Sequence, residues 1–181
     1  VSTTCGSGWG CDCLHMWNDS NHPLAFLITF RCYGTWLHGD ERGSIDRRNN
    51  IYGDAKIAAN DHWKVISSNR MKQRPVRLDA ASRDAVERAV RDTCERRKWK
   101  LYATNIRTNH IHVVTTTAGK LPSVALNAFK ANATRCLRES GLWLSDRRPW
   151  ADKGSERWLW TDDHIFNAVE YVLKGQGDEL P

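Results

Sequence analysis

His110-Ile111-His112 opens an apolar run that continues to Thr117, and this pattern restricts the fold more than any other in the chain. In a strand, alternate side chains point to opposite faces, so His110 and His112 share one face with Val114 while Ile111 and Val113 share the other. The segment therefore predicts a sheet buried on one side and carrying polar chemistry on the other. Two imidazoles so placed can grip one divalent cation, although surface or cross-strand histidines give the same pattern.

The flanking segments supply the rest of the fold. Leu24 to Tyr33 alternates strongly: Leu24, Phe26, Ile28, Phe30 and Cys32 form one face, and Ala25, Leu27, Thr29, Arg31 and Tyr33 the other. Asp79 can cap a helix from about Ala80 to Arg97, with Val86, Ala89, Val90, Thr93 and Cys94 as its apolar stripe. Leu101 to Ile106 reads as a second strand, joined to the histidine strand by the turn Arg107-Thr108-Asn109. Pro122 fits the first turn of another helix, which ends near Ser140 with Gly141 as a left-handed cap. Its expected stripe is Val124 or Ala125, Ala128, and Cys136 or Leu137. A short strand within Leu142 to Trp160 and a helix near Tyr171 complete the order β-α-β-β-α-(β)-α. That is an α+β pattern, a ferredoxin-like split βαβ with an antiparallel sheet and helices on one face, plus an added C-terminal helix carrying Tyr171.

Gly34 to Arg74 has no sustained periodicity and reads as a long excursion with one short helix around His62 to Ser67. With 181 residues and 40% hydrophobic content, the chain can bury one sizeable core. We expect one domain over residues 16–181 and read Val1 to His15 as a disordered or non-native extension. Cys5, Cys11, Cys13 and His15 resemble zinc ligands in type but not in spacing. Cys32, Cys94 and Cys136 fall in a strand and two helices, where free cysteine packs as a small hydrophobe.

No run approaches the roughly 20 apolar residues of a membrane span. No secretion signal is evident, which makes the cytoplasm the expected location. The net charge of +6 and pI ≈ 9.1 favour an anionic partner, with nucleic acid first. Arg147-Arg148-Pro149-Trp150 and Arg157-Trp158-Leu159-Trp160 interleave cations with rings on which unpaired bases could stack, but Trp158 and Trp160 serve equally well as core residues.

In the segment from Thr161 to Lys174, helical geometry gathers Ile165, Phe166, Val169, Val172 and Leu173 into one buried stripe. Tyr171 falls roughly opposite, in a polar row with His164, Asn167 and Lys174. Tyrosine is a poor nucleophile at its reference pKa of about 10, and a bound metal could both favour the phenolate and polarise a phosphate.

Taken in order, Phe26 to Phe30, Asn109 to Val114, Phe129-Lys130-Ala131 with Ala133-Thr134-Arg135, and Tyr171 to Gln176 resemble the HUH single-tyrosine transposases, and among them the REP-associated tyrosine transposase-like proteins. The resemblance runs from about Pro23 to Gln176. It implies metal-assisted cleavage and strand transfer of single-stranded DNA, often beside a hairpin, through a 5′-phosphotyrosine intermediate. It further implies Tyr171 as nucleophile, with His110, His112 and Gln176 as ligands of a divalent metal, Mg²⁺ or Mn²⁺. Arg31, Lys130, Arg135, Arg147, Arg148 and Lys174 are the expected nucleic-acid contacts. Single-stranded or hairpin DNA is the implied partner, in a prokaryotic, nucleoid-associated setting with no membrane, and a homodimer is one candidate assembly.

Two features depart from the family pattern. Gln176 follows the tyrosine by five residues rather than four, and Gly34 to Ser44 is not a short basic reading motif. On an unbroken helix Gln176 would lie about 140° from Tyr171. We expect the helix to end at Lys174 or Gly175, with a left-handed Gly175 swinging Gln176 round. A domesticated protein that binds hairpin DNA or RNA without cutting is the alternative function. A 2H-type phosphoesterase would need two His-x-Ser/Thr motifs, which His112-Val113-Val114 does not match.

Overall fold

The computed structural model describes residues 22–41, 43 and 57–177. The expectations for residues 1–15, including the cysteine cluster, and for much of the excursion lie outside this range. The described elements are β1 (Ala25–Cys32), α1 (Asp61–Asn69), α2 (Ala80–Arg97), β2 (Leu101–Ile106), β3 (His110–Thr115), α3 (Pro122–Glu139), β4 (Trp150–Leu159) and α4 (Asp162–Lys174).

The four strands form one antiparallel sheet in the order β2-β3-β1-β4. β1 and β2 run parallel with β3 inserted between them, and β3 and β4 enclose β1 in the same way. This is the split βαβ arrangement, and it places β1 and β3 at the centre. Their register sets Thr29 opposite His112 and Arg31 opposite His110.

The alternation of β1 decides the two layers. Phe26, Ile28, Phe30 and Cys32, with Ile111 and Val113, face α2 and α3 in the main core. Phe30 and Phe129 are fully buried, and edge-to-face ring contacts join Phe30 to Trp150 and Trp99 to Phe129, with centroids 5.2 and 5.8 Å apart. Truncating such a residue to alanine costs about 3–5 kcal/mol. α2 starts as its sequence predicts, with the Asp79 carboxylate accepting from Ser82 N–H, and ends at Lys98 in the left-handed region, φ 57°. α3 buries Ala125, Leu126, Ala128, Phe129, Ala133 and Leu137, whereas Val124 is exposed.

α4 lies on the other sheet face. Ala25, Leu27, Ala103, Val114 and Leu159 meet Ile165, Ala168 and Val172 in a smaller core. The helix is rotated from its expected setting: Phe166 and Leu173 are exposed, and Ala168 takes the central place against the sheet. A small residue there lets the helix axis approach closely, which the bulk of Phe166 would prevent. Taking 100° per residue, the buried stripe moves by about 60° and brings Tyr171 to the flank of the helix rather than its outer side.

Candidate active site

Tyr171, His110, His112 and Gln176 line one cleft of about 680 Å³ between α4 and the open face of the sheet, together with Arg31 and Arg157. The Tyr171 ring meets His112 edge-on at a centroid distance of 5.4 Å, and the two histidine rings stand 4.7 Å apart. The three rings are positioned by regular structure. β3 presents both imidazoles, and α4 carries the phenol in its last turn. Thr161 caps the start of that helix by accepting from His164 N–H, and the Asn105 side-chain amide on β2 donates to Val172 O near its end.

The helix stops at Lys174, and Gly175 N–H donates to Tyr171 O at 2.9 Å. Gly175 is not left-handed: its φ and ψ are −84° and 8°, and the left-handed residue is Gly177, φ 76°. Gln176 nevertheless turns to the sheet. Its Nε2 donates to Tyr171 O at 3.1 Å, and its Oε1 lies 3.3 Å from His110 Nε2. Gly175 matters for a different reason. A Cβ on it would fall 2.7 Å from Tyr171 O and 3.0 Å from Tyr171 Cδ2.

The imidazoles are oriented from behind. His112 Nδ1 and Thr29 Oγ1 share a 2.7 Å hydrogen bond across the β1–β3 register, and His110 Nδ1 pairs with Asn109 Oδ1 at 2.7 Å. Where Nδ1 is the donor in these bonds, Nε2 is the ring atom able to coordinate a ligand. Burial, reinforced by the neighbouring His110, pushes the His112 pKa down to about 4, against the opposing effect of the Gln176 amide, and keeps this imidazole neutral near pH 7.

This donor set fits a divalent cation. The Gln176 amide is oriented by its own donation to Tyr171 O, so Oε1 is the atom turned to His110. His110 thus faces oxygens at both ring nitrogens, Asn109 Oδ1 at 2.7 Å and Gln176 Oε1 at 3.3 Å. With the proton on Nδ1, a cation at the Nε2 side would meet the lone pairs of both Nε2 and Oε1. Two nitrogens and an amide oxygen suit Mn²⁺ and similar ions, and Mg²⁺ once phosphate oxygens complete its shell. Among the described residues, no group of three or more His, Cys, Asp or Glu side chains is placed to hold a metal. The C-terminal end of α4 adds its partial negative charge beside the site.

The other expected contacts are spread more widely. Arg31 lies in the cleft, its guanidinium 4.4 Å from the centre of the Trp36 ring. Lys130 is elsewhere, on α3: its ammonium donates to the carbonyls of Ala151, Asp152 and Lys153 and braces β4. Arg135 pairs with Glu139 on the distant helix layer, and Lys174 with Glu170 on the exposed side of α4. Arg147 and Arg148 are exposed in the loop before β4. His164 and Asn167 line the cleft, but His164 Nδ1 accepts from Trp160 N–H at the far end of α4. Trp158 and Trp160 stack on each other half-exposed, with Trp158 also edge-on to Phe26.

Sequence reasoning missed Thr29, Asn109 and Trp36 as site residues, and it named Arg157 only within a cation–aromatic stretch and not in this cleft. Thr29 could have been found, because it shares the polar face of β1 with Arg31. Arg157 sits opposite Leu27 on β4, a register that local sequence does not reveal.

The two imidazoles, the phenol and two guanidiniums around one cleft form an arrangement able to bind a cation and a phosphate beside a hydroxyl. Among solved structures, a REP-associated tyrosine transposase bound to a REP hairpin is similar at 12% identity and a TM-score of 0.47, over 82% of this chain and 63% of that one. A Deinococcus radiodurans R1 protein described as a transposase is similar at 9% identity and a TM-score of 0.43, over 87% and 94% of the two chains. The chain thus spans less than two thirds of the first of these. No curated protein matches it in sequence. Residues 62–172, well over half of the chain, match the family model described as "Transposase IS200 like", and the chain therefore belongs to the IS200-like transposase family.

Proposed function

We propose that this protein is a metal-dependent transposase that cuts and rejoins single-stranded DNA through Tyr171. The observation that carries the reading is the convergence of Tyr171, His110, His112 and Gln176 on one cleft, with Arg31 and Arg157 beside them. The phenolic oxygen attacks a backbone phosphorus, the bond from phosphorus to the 3′ oxygen breaks, and the departing 3′ oxygen takes up a proton from solvent. The phenolic proton is released to solvent. The products are a 5′-phosphotyrosine and a free 3′-hydroxyl. Because the phosphodiester is exchanged rather than hydrolysed, a 3′-hydroxyl can reverse the step on another strand without ATP.

His110, His112 and Gln176 would hold the metal, which supplies positive charge to polarise the phosphate and favour the phenolate. Thr29 and Asn109 keep the imidazoles turned towards it. Arg31 and Arg157 offer forked donors to phosphate oxygens, with the Arg31 guanidinium held over the Trp36 ring. The substrate is single-stranded DNA, with or without an adjoining hairpin.

The test is incubation with a labelled single-stranded oligonucleotide and Mn²⁺, followed by denaturing electrophoresis. A covalent protein–DNA band should form, and Tyr171→Phe should abolish it while leaving the melting temperature within a few degrees. An undiminished band in that variant removes Tyr171 from its role. Absence of any adduct from the wild type favours the non-cutting alternative.

A further inference from the structure

Thr35 and Trp36 reach the cleft from the loop that follows β1, and that loop is fixed at both ends by contacts remote from the chemistry. Gly34 and Gly39 bracket it, both with positive φ, 70° and 87°, where glycine is favoured. A Cβ on Gly34 would stand 2.8 Å from Met71 Sδ and 3.1 Å from Pro75 Cα, in the segment that follows α1. A Cβ on Gly39 would run into Asn60 O and stand 2.8 Å from Lys64 N, at the start of α1, and Asn60 N–H donates to Gly39 O at 3.1 Å. α1 buries none of its own residues and contributes none to the lining of the cleft. Its packing on Gly39 therefore serves neither the core nor the site directly.

Between those glycines the loop touches the site twice. The Thr35 hydroxyl donates to Cys32 O at 2.9 Å and reaches Asn109 O at 3.2 Å, which latches the loop to the residue whose side chain pairs with His110. The Trp36 indole N–H donates to Gly43 O at 2.7 Å, which fixes the ring, and the Arg31 guanidinium lies over that ring, 4.4 Å from its centre. Arg31 stands opposite His110 in the β1–β3 register, so the guanidinium enters the cleft beside the imidazole that Gln176 approaches. An arginine side chain has many rotamers, and attraction to the ring face selects one of them before any phosphate arrives.

We propose that Trp36 is a positioning residue that sets the Arg31 guanidinium for a backbone phosphate of the bound DNA strand, and that α1 is the buttress that holds Trp36 in place. The ring supports a cation rather than a base, because the guanidinium covers one of its faces and its N–H is committed to Gly43 O. Such preorganisation raises affinity by removing the ordering cost of the side chain that makes the contact. The inference rests on the DNA-cleaving function above and gives α1 a role that this function leaves unassigned.

The test measures the affinity of a fluorescent single-stranded oligonucleotide by anisotropy, in a Tyr171→Phe background so that binding is read without capture. Arg31→Gln should weaken binding about tenfold or more. Trp36→Leu should weaken it about 3- to 10-fold, and Trp36→Phe, which keeps a ring face, should recover most of that loss. Trp36→Leu added to Arg31→Gln should cost less than about twofold further, because a positioning residue acts only through the group it positions. A ring that stacked on a base would cost the same in either background. Gly39→Ala, remote from the cleft, should reproduce the loss of Trp36→Leu and should likewise add little to Arg31→Gln. Its melting temperature should stay within a few degrees of the parent's, since α1 buries no residue. Additive losses from Trp36→Leu and Arg31→Gln, or unchanged affinity in either, overturn the positioning role; unchanged affinity in Gly39→Ala overturns the buttress. If the protein with Tyr171 intact forms no covalent adduct, the cleavage reading fails, while the coupling between Trp36 and Arg31 still decides this one.

Discussion

Replacing Gly175 with alanine perturbs the phenol without touching it chemically. The new Cβ would stand 3.0 Å from Tyr171 Cδ2, where carbon atoms prefer about 3.5–4.0 Å, and 2.7 Å from Tyr171 O. Rotating the ring can relieve the first contact, at a displacement of about 0.5–1 Å. The second is with backbone, so the helix end must also give, weakening the 2.9 Å bond from Gly175 N–H to Tyr171 O. A misplacement near 1 Å at a reacting group can cost about 100-fold in rate, or about 2.7 kcal/mol of barrier. Stability should change far less. The backbone at φ −84° is ordinary for alanine, and the lower entropy of the unfolded chain contributes about 0.4–1 kcal/mol against the strain. Single-turnover adduct formation at saturating Mn²⁺ should therefore fall by about 10- to 100-fold in Gly175→Ala, with the melting temperature shifted by only a few degrees. Wild-type adduct kinetics in a folded variant would refute the reasoning, because they would show that the phenol tolerates the displacement.

Thr29→Val removes the hydroxyl behind His112 at nearly constant volume and should weaken Mn²⁺ binding about 10-fold or more by calorimetry, with Thr29→Ser restoring it; unchanged affinity would dismiss the orienting bond. His112 has its folded pKa lowered towards 4, so as pH falls below the unfolded value near 6.5 the unfolded state takes up the proton first. Chelator-treated protein should thus lose roughly 3 kcal/mol between pH 6.5 and 4 through this group, and His112→Asn should flatten that part of the denaturation profile. Gln176→Ala should lower Mn²⁺ affinity and adduct yield far more than His164→Ala, because only Gln176 lies beside His110; the reverse order would exclude Gln176 as a ligand.

Most of the fold was legible because its elements obey simple periods. β1 and β3 alternate, α2 has an aspartate cap, and α3 begins at a proline, so their limits and buried faces follow from local rules. α4 was legible as a helix but not in its rotation. Phe166 and Leu173 outweigh Ala168 in hydrophobicity, yet the sheet selects the residue that permits the closest approach, a tertiary preference that no sum over side chains contains. Gln176 shows the same limit. Its turn towards His110 arises after the helix has ended, with Gly175 near the helical region, so rotation about an unbroken helix axis could not locate it. Thr29 and Arg157 depend on which residue each strand sets opposite its neighbour, information that appears only once the sheet is assembled.

The carbonyl of Tyr171 accepts from both Gly175 N–H and the Gln176 side chain, so one turn of backbone carries the phenol and orients the amide beside His110. Fraying of that turn would withdraw both groups in a single event, leaving two histidines without an attacking group or their oxygen partner. Such an opening need not involve the core, and its free energy can be far below that of global unfolding. On the proposed mechanism, the competent fraction of molecules would then be set by a local equilibrium at the end of α4, and a ligand that clamps this turn would raise activity without changing any chemical group in the cleft.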